Sequence, residues 1–268
     1  MLRIATVNVN GIRAAFRKGM GEWLSSVEVD LVTLQEVRAP DAVVHDLLDG
    51  TGWTAAHTEA AAKGRAGVAV LTREPSKAVR VGGDDDYFAE AGRWIESDVV
   101  LGDGSLLTVV SAYVHSGEAG TPKQDDKYRF LDMMVRRLAA LREHADHAVV
   151  TGDLNVGHTE RDIRNWRGNR GKAGFLEAER AYFDRFADEL GWVDVHRRLA
   201  GDVDGPYTWW SMRGKAFDND AGWRIDYQLA TPELAAAALD ARVDRAASWG
   251  ERWSDHAPLV IDYDLPAR

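Results

Sequence analysis

The chain has 268 residues, 45% hydrophobic and 28% charged, which is ordinary for a soluble globular protein long enough to bury a substantial core. It contains no cysteine, which excludes disulfides and thiolate metal sites, so oxygen or imidazole must hold any metal, and a hard cation such as magnesium is favoured. The formal net charge of -10 argues against coating nucleic acid through a general positive field, but it permits a local basic face.

The first forty residues alternate apolar strand runs with turn and helix material. The opening run LRIATVNV is too short and too soon interrupted by Asn10 and Gly11 to be a signal peptide. A segment from Glu22 to Val29 follows, and DLVTLQE is the next strand, which gives an α/β rhythm. Since no apolar run approaches membrane-spanning length, we expect a cytoplasmic protein without a membrane partner.

Further strand-like runs and two helices follow along the chain. The strand candidates are GVAVLT, RWIESDVVL, LLTVVSAYV, HAVVTGDL, WRIDYQLA and APLVIDYDL. Apolar residues recur at helical spacing from Asp125 to Ala145, which predicts an amphipathic helix covering a sheet, and a second helix is predicted from Glu177 to Leu190.

The connections between these runs predict the architecture. Asp-Gly in LGDGS, from Leu101 to Ser105, is a strong hairpin signal, so the sheets should be mixed rather than purely parallel. No linker, low-complexity tract or short repeat divides the chain. We therefore predict one α/β domain over residues 1–268, with two packed mixed sheets and helices outside.

Polar side chains stand where five of the apolar strands begin or end. A single case is ordinary turn chemistry, but buried carboxylates need partners or a cation, so five cases indicate a site. They are Asn8 with Asn10, Gln35 with Glu36, Asp153 with Asn155, Asp226, and Asp255 with His256.

The strand alternation assigns directions to these side chains. Residues two apart share a face, so Asn8 and Asn10 are expected to point together if the strand geometry persists. Asp255 and His256 are adjacent and should point to different sides. Each member of that pair therefore needs a partner from elsewhere in the chain.

The motifs NVNG, LQE, SAYV, GDLN, WRIDY and SDHAP, in this order over nearly the whole chain, resemble the endonuclease, exonuclease and phosphatase superfamily. AGFLEAER and RGKAFDNDAGWRID are more closely similar to bacterial exonuclease III, the abasic-site endonuclease family. The resemblance implies a four-layered α/β sandwich. It also implies a DNA-repair nuclease that cuts 5′ to abasic sites in double-stranded DNA, with 3′ to 5′ exonuclease and 3′-end phosphatase or phosphodiesterase activity.

The resemblance also implies the members of the site. The cofactor is Mg²⁺, with Mn²⁺ as a substitute. The implied metal-site residues are Asn8, Asn10, Glu36, Asp153, Asn155, Asp255 and His256. The implied catalytic residues are Tyr113, Asp153, Asn155, Asp226, Asp255 and His256.

Individual roles follow from the same resemblance. Glu36 corresponds to the direct metal ligand, and Asp153 to the group that orients or deprotonates the attacking water. Tyr113 would donate to the phosphate or the departing oxygen. His256 would bind a non-bridging oxygen, while Asp226 holds its ring and favours the protonated form.

DNA contacts are implied in three places, and the expected partner is double-stranded DNA with abasic sites or blocked 3′ ends, bound by a monomer. An apolar pocket accepts the flipped, base-less sugar, a loop wedges into the duplex, and a basic stretch grips the backbone. On charge alone, that stretch is equally well explained as a solvated loop. The residues are Trp209, Trp223 and Ile225 in the pocket, Met212 and Arg213 in the loop, and Arg164, Arg167, Arg170 and Lys172 in the basic stretch.

Other interpretations fit single residues or the fold alone. Tyr113 is also compatible with a core aromatic, and Asp226 with a strand-end acid paired to Arg224. Asn8 and Asn10 could simply close a turn before Gly11. For the whole chain, the alternatives are a phosphoesterase acting on small or lipid phosphates and a catalytically silent module that binds DNA damage.

Overall fold

Two six-stranded β-sheets run through residues 1–267, the part of the chain that the computed structural model describes. The strands are β1 (Leu2–Asn8), β2 (Leu31–Gln35), β3 (Thr54–Thr58), β4 (Val68–Thr72), β5 (Ala78–Val81), β6 (Trp94–Val100), β7 (Leu106–Tyr113), β8 (His147–Asp153), β9 (Val193–Asp194), β10 (Asp226–Ala230), β11 (Ala238–Val243) and β12 (Leu259–Tyr263). One sheet has the order β11-β12-β1-β2-β4-β3, and the other β5-β6-β7-β8-β10-β9.

Each sheet contains one parallel pair of strands among antiparallel neighbours. The pair β1 and β2 is parallel in the first sheet, and the pair β7 and β8 is parallel in the second. Asn8 lies opposite Gln35 at the carboxyl end of the first pair, and Tyr113 lies opposite Asp153 at the end of the second. The two sheets are therefore mixed, as the hairpin signals predict, and each delivers polar side chains at the end of its parallel pair.

Seven α-helices occur among residues 1–267. They are α1 (Ile12–Arg17), α2 (Met20–Ser26), α3 (Asp41–Leu48), α4 (Pro122–His144), α5 (Glu177–Asp184), α6 (Val195–Ala200) and α7 (Pro232–Ala236). The predicted helix from Asp125 to Ala145 is confirmed as α4, and the one from Glu177 to Leu190 as α5 continued by a π-helical turn, Arg185–Glu189. In the described part of the chain, none of the helices has the length and apolar character needed to cross a membrane.

The two sheets and the helices on their outer faces form four layers of secondary structure, with an apolar core between each layer and the next. Ile4, Val109 and Ile261 belong to the layer between the two sheets, where their side chains are fully buried. The outer face of the first sheet packs on α1, α2 and α3, and the outer face of the second packs on α4 and α5. Burying a side chain of this size stabilises the fold by about 1.5–3 kcal/mol, so these layers fix the sandwich. The predicted four-layered α/β sandwich is confirmed.

Polar contacts between the sheets fix how the two parallel pairs face each other. The hydroxyls of Thr33 on β2 and Thr151 on β8 lie 2.6 Å apart, and both side chains are buried. Gln35 Nε2 donates to Ser111 Oγ on β7 at 2.9 Å. Because buried hydrogen-bonding groups are costly when unpaired, these bonds resist sliding of one sheet over the other. The carboxyl ends of β1 and β2 therefore stay above those of β7 and β8.

Candidate active site

One amide bridges carboxylates that arrive from the two different sheets. Asn8 Nδ2 donates to Glu36 Oε1 at 3.0 Å and to Asp153 Oδ2 at 2.9 Å. The Tyr113 hydroxyl donates to the same Glu36 Oε1 at 2.6 Å. These four side chains, one from the end of each central strand or the residue after it, form the floor of the candidate site.

Three site residues adopt the left-handed backbone conformation that favours glycine. Asn10 has φ 47°, Glu36 φ 52° and Asn155 φ 52°. This conformation is uncommon for residues other than glycine. It persists where the surrounding structure holds the backbone in place, and it is concentrated at active sites. These three positions also end the strand alternation. Asn10 therefore points away from Asn8 and donates from Nδ2 to Asp255 Oδ1 at 2.9 Å, so the expectation that the two asparagines point together is not met.

The two residues of the SDH motif point apart, as strand alternation predicts. His256 Nδ1 lies 2.8 Å from Asp226 Oδ2, and its Nε2 lies 3.7 Å from Asp153 Oδ2. Asp255 instead accepts hydrogen bonds from Asn10 and from Trp209 Nε1, the latter at 3.0 Å. The histidine therefore faces the carboxylates of Asp226 and Asp153 on the second sheet, while Asp255 faces Asn10, which follows β1 of the first.

Electrostatics set the protonation of the central pair. Burial alone lowers the pKa of His256, but the carboxylates of Asp226 and Asp153 outweigh it and raise that pKa to about 10. Burial raises the pKa of Asp153 to about 7; Asp226 and Glu36 act in the same direction, whereas His256 and Asn8 oppose them. The imidazole is therefore cationic at neutral pH, and Asp153 is close to the pKa that suits a general base.

The oxygen donors around Glu36 fit a hard divalent cation. Glu36 Oε2 is buried and accepts no hydrogen bond. The Arg38 guanidinium lies against that oxygen and donates to Asn10 Oδ1 at 2.8 Å, so a positive charge already faces both groups. Among residues 1–267, no three His, Asp or Glu side chains converge as a ready cage. A sparse set of one carboxylate and amide oxygens suits a divalent cation that keeps several waters.

The predicted metal-site residues fall into two groups. Asn8, Glu36 and Asp153 are joined directly, and Asn155 Nδ2 lies 3.3 Å from Asp153 Oδ2. Asn10 with Asp255 forms the second group, linked to the first through Arg38. His256 lies on the opposite side with Asp226, so its geometry supports a phosphate contact better than metal ligation.

Two basic residues that the sequence reasoning missed hold site residues in place. Arg93 lies with its guanidinium 4.5 Å from the Tyr113 ring centre and donates to the Tyr113 carbonyl at 3.1 Å. Lys127 is fully buried, pairs with Glu179 at 2.7 Å and donates to the Asn155 carbonyl at 2.9 Å. A lysine on the apolar face of α4 was the one available signal, because a buried charge requires a partner.

The residues predicted to line the sugar pocket lie beside the site. Trp209 and Trp223 meet edge to face with ring centres 5.9 Å apart, and a bridge between their backbones holds them together. Trp209 also lies 6.4 Å from the His256 ring centre. Ile225 is 5% exposed and lies next to Asp226, so the predicted pocket residues and the histidine are neighbours.

The basic stretch lies beside this pocket because its backbone pairs with the segment around Trp223. Ile163 forms an antiparallel bridge with Trp223, and the Arg164 amide donates to the Gly222 carbonyl at 3.1 Å. The exposed side chains predicted to grip DNA are Arg164, Arg167, Arg170 and Lys172. The exposed residues of the predicted wedge loop are Met212 and Arg213.

A buried ion-pair network anchors the basic stretch to the pocket. Arg224 is fully buried and donates to Asp162 Oδ1 at 2.6 Å, and its other nitrogens face Asp194. Arg197 donates to the same Asp162 oxygen at 2.7 Å. Arg224 is therefore not the partner of Asp226, which is free to orient His256.

Comparison with known proteins places the chain in a family. Residues 5–256 match the endonuclease/exonuclease/phosphatase family. An exodeoxyribonuclease of Bacillus subtilis is 30% identical over 261 residues, which cover 97% of this chain and 98% of the relative. Exodeoxyribonuclease III of Haemophilus influenzae is 29% identical over 271 residues, covering 98% of this chain and 100% of the relative.

Solved structures agree with this assignment. A 3′ phosphatase from Neisseria bound to a product DNA hairpin superposes with a TM-score of 0.88 at 26% identity, covering 98% of this chain and 100% of that one. An AP endonuclease from Archaeoglobus fulgidus gives a TM-score of 0.86 at 30% identity with the same coverage. The chain therefore belongs to the endonuclease/exonuclease/phosphatase family, within its exonuclease III and abasic-site endonuclease branch.

Proposed function

We propose that the protein is a DNA-repair nuclease that hydrolyses the phosphodiester on the 5′ side of abasic sites in double-stranded DNA, with a divalent cation as cofactor. The same centre would trim 3′ ends as an exonuclease and remove 3′ phosphates or blocked fragments. One observation carries this proposal. The carboxylates of Glu36 and Asp153 converge with His256 at the ends of two parallel strand pairs, directly beside the indoles of Trp209 and Trp223.

The reaction requires a base for water, positive charge for the phosphoryl oxygens and a donor for the departing oxygen. Asp153 accepts the proton of the attacking water, because its pKa near 7 suits both taking and releasing a proton. The His256 imidazolium binds a non-bridging oxygen, and Asp226 holds its ring. The Tyr113 hydroxyl donates a hydrogen bond to the phosphate or the departing oxygen, and it keeps its proton because burial raises its pKa above the ordinary tyrosine value. Glu36 and its amide neighbours would hold Mg²⁺, or Mn²⁺ in its place, which when bound would supply further positive charge to the phosphate.

The pocket supplies the selectivity for damage. Trp209, Trp223 and Ile225 present apolar surface next to His256, which suits a sugar without a base better than a normal nucleotide. Extruding an abasic sugar costs less than extruding a paired base, since there is no pairing to lose. The basic stretch beside the pocket would hold the backbone, and Met212 with Arg213 would enter the duplex. We further propose that the protein acts as a monomer in the cytoplasm.

A substrate comparison tests this proposal against the phosphoesterase alternative. Purified protein is incubated with Mg²⁺ and an abasic duplex, the matched undamaged duplex, a duplex with a 3′ phosphate, and an inositol phosphate. We expect cleavage of the abasic duplex 5′ to the lesion, release of 3′ phosphate, and much slower turnover of the inositol phosphate. Faster turnover of the inositol phosphate than of the abasic duplex would contradict the proposal, as would equal cutting of damaged and undamaged duplex.

A further inference from the structure

A guanidinium with no acidic partner is buried three residues before the Asp255 motif. Arg252 is 9% exposed, and its Nε has no hydrogen-bond partner. Its other nitrogens donate to the Trp210 carbonyl at 3.4 Å and to Met212 Sδ at 3.3 Å. The guanidinium also lies 4.5 Å from the Phe217 ring centre and 5.6 Å from that of Trp249. No carboxylate of residues 1–267 forms an ion pair with it. A buried cation without a counter-ion is destabilising unless an anion joins it in the working complex.

Arg252 lines a cavity of about 270 Å³ that opens beside the active site. The exposed Lys18, just after α1, contributes a second cation to its wall. The Trp249 indole, 49% exposed, stands on the same wall. Asn10 and Asp255 line both this cavity and the active site, so the two spaces are continuous neighbours.

The one acidic residue that lines this cavity, Asp255, already accepts a hydrogen bond at each carboxylate oxygen. Asp255 Oδ1 accepts from Asn10 and Oδ2 accepts from Trp209, so both oxygens have donors other than the two cavity cations. Lys18 and Arg252 therefore remain available to an anion. An exposed indole next to two cations is the combination that binds a nucleotide, because the base stacks on the ring and the phosphate takes the charge.

We propose that this cavity, bounded by Lys18, Trp249 and Arg252, is a subsite for one nucleotide of the DNA strand flanking the phosphate that is cut. The base stacks on Trp249, and the phosphate contacts Lys18 and Arg252. A volume of about 270 Å³ lies near the lower end of small-molecule sites, which excludes two nucleotide units. The inference rests on the proposed function, since it assumes a DNA strand at the neighbouring site.

A set of truncated duplexes tests the subsite through binding alone. The abasic strand is shortened by one nucleotide at a time on each side of the lesion, and the dissociation constant is measured by fluorescence anisotropy in chelator. For the wild-type protein, removal of one particular flanking nucleotide should weaken binding by about 5-fold to 150-fold, the range of base stacking on an aromatic residue. For Trp249→Ala, the same removal should have no effect, because the partner is already absent.

Matched variants separate this subsite from general effects. Lys18→Ala should weaken binding of the full duplex, whereas Lys77→Ala, an exposed lysine before β5, should not. Leu239→Ala on β11, 57% exposed, serves as the control for loss of an exposed apolar side chain. Equal sensitivity of wild type and Trp249→Ala to every truncation would overturn the subsite.

The wild-type protein and the full-length abasic duplex also distinguish failure of the subsite from failure of the proposed function. Incision of the full-length abasic duplex by the wild-type protein with Mg²⁺ reports on the proposed function alone. Arg252→Lys keeps the positive charge but replaces the planar guanidinium with an ammonium group. It should therefore retain part of the affinity for the abasic duplex that Arg252→Met loses. If Arg252→Met does not fold, Trp249→Ala and Lys18→Ala still decide, since both change exposed side chains. Full affinity in all three variants would overturn the inference.

Discussion

His256 Nδ1 lies 2.8 Å from Asp226 Oδ2, and this contact joins the SDH motif to a strand 30 residues earlier in the chain. Asp226 is also paired directly opposite Asp153 in the antiparallel register of β10 and β8. One strand pairing therefore places a carboxylate on each side of the imidazole. The histidine is held as a cation in a fixed orientation, with Nε2 toward Asp153.

The alkaline limit of activity should depend on Asp226. Because the folded pKa of His256 is raised to about 10, its charge and the stability it contributes are complete below about pH 6.5 and are lost as pH rises through about 10. Asp226→Asn removes one carboxylate, so the alkaline limb of the pH–rate profile should move to lower pH. His256→Ala should remove that limb together with most of the activity. An unchanged alkaline limb in Asp226→Asn would contradict the role given to this pair.

Replacing Asp162 should destabilise the protein strongly. Asp162→Ala leaves the fully buried Arg224 without its closest carboxylate, and breaking a buried pair in this way costs about 3–5 kcal/mol of unfolding free energy. Denaturant unfolding measures this value. Asp202→Ala, which removes an exposed partner of Arg161, is the control and should change stability by less than about 1 kcal/mol. A similar loss of unfolding free energy in the two variants would show that the buried ion pairs of Asp162 do not anchor the basic stretch.

Acid should destabilise the protein through His196. This side chain is 1% exposed, neither ring nitrogen has a hydrogen-bond partner, and burial lowers its pKa to about 3. The unfolded chain takes up a proton below about pH 6.5 while the folded protein does not. Stability should therefore fall by about 1.4 kcal/mol per pH unit from that point toward pH 3.

His196→Leu is the matched variant for this prediction. It removes the titrating group without breaking a hydrogen bond, so it should remain folded at neutral pH and lose this part of the acid sensitivity. Chemical unfolding at a series of pH values compares the two proteins. The same slope in both between pH 6.5 and 5 would contradict the prediction.

Arg38 should compete with the divalent cation. Its guanidinium faces Glu36 and Asn10, the groups that we expect to contact the metal, so Arg38→Met should lower the melting temperature in chelator because the carboxylates lose their counter-charge. Added Mg²⁺ should then raise the melting temperature more in Arg38→Met than in the wild type. Glu36→Gln is the control and should show the smallest Mg²⁺ effect. Equal Mg²⁺ effects in all three proteins would contradict this account.

Local sequence was sufficient to predict the two mixed sheets and the long helix of the second sheet. Apolar runs with hairpin signals predicted two mixed sheets, and helical spacing predicted α4, because these patterns depend on neighbouring residues alone. The different directions of Asp255 and His256 also followed from strand alternation. The repeated placement of polar residues at strand ends indicated a site, and the resemblance to the family supplied the role of each residue.

Contacts between distant segments were beyond the sequence. The direction of Asn10 depends on left-handed backbone that ends the strand alternation, and no local sequence pattern predicted that conformation. The partner of Arg224 proved to be Asp162 rather than the neighbouring Asp226, because the loop after β8 folds back on the Trp223 segment. Arg93 and Lys127 were missed for the same reason, since strand pairing and helix packing bring them to Tyr113 and Asn155. Arg38 is only two residues after Glu36, but left-handed backbone at both positions sets its contact with that carboxylate.

Incision of a labelled abasic duplex tests the central claim most directly. A 5′-labelled duplex with one abasic site is incubated with the wild-type protein, Asp153→Asn or His256→Ala, each with Mg²⁺ and with chelator. The account predicts one product ending just 5′ to the lesion for the wild type with Mg²⁺, none with chelator, and at least about 100-fold slower cleavage by either variant while both keep the wild-type fold by circular dichroism. No cleavage by the wild type with Mg²⁺, or full activity of Asp153→Asn, would contradict it.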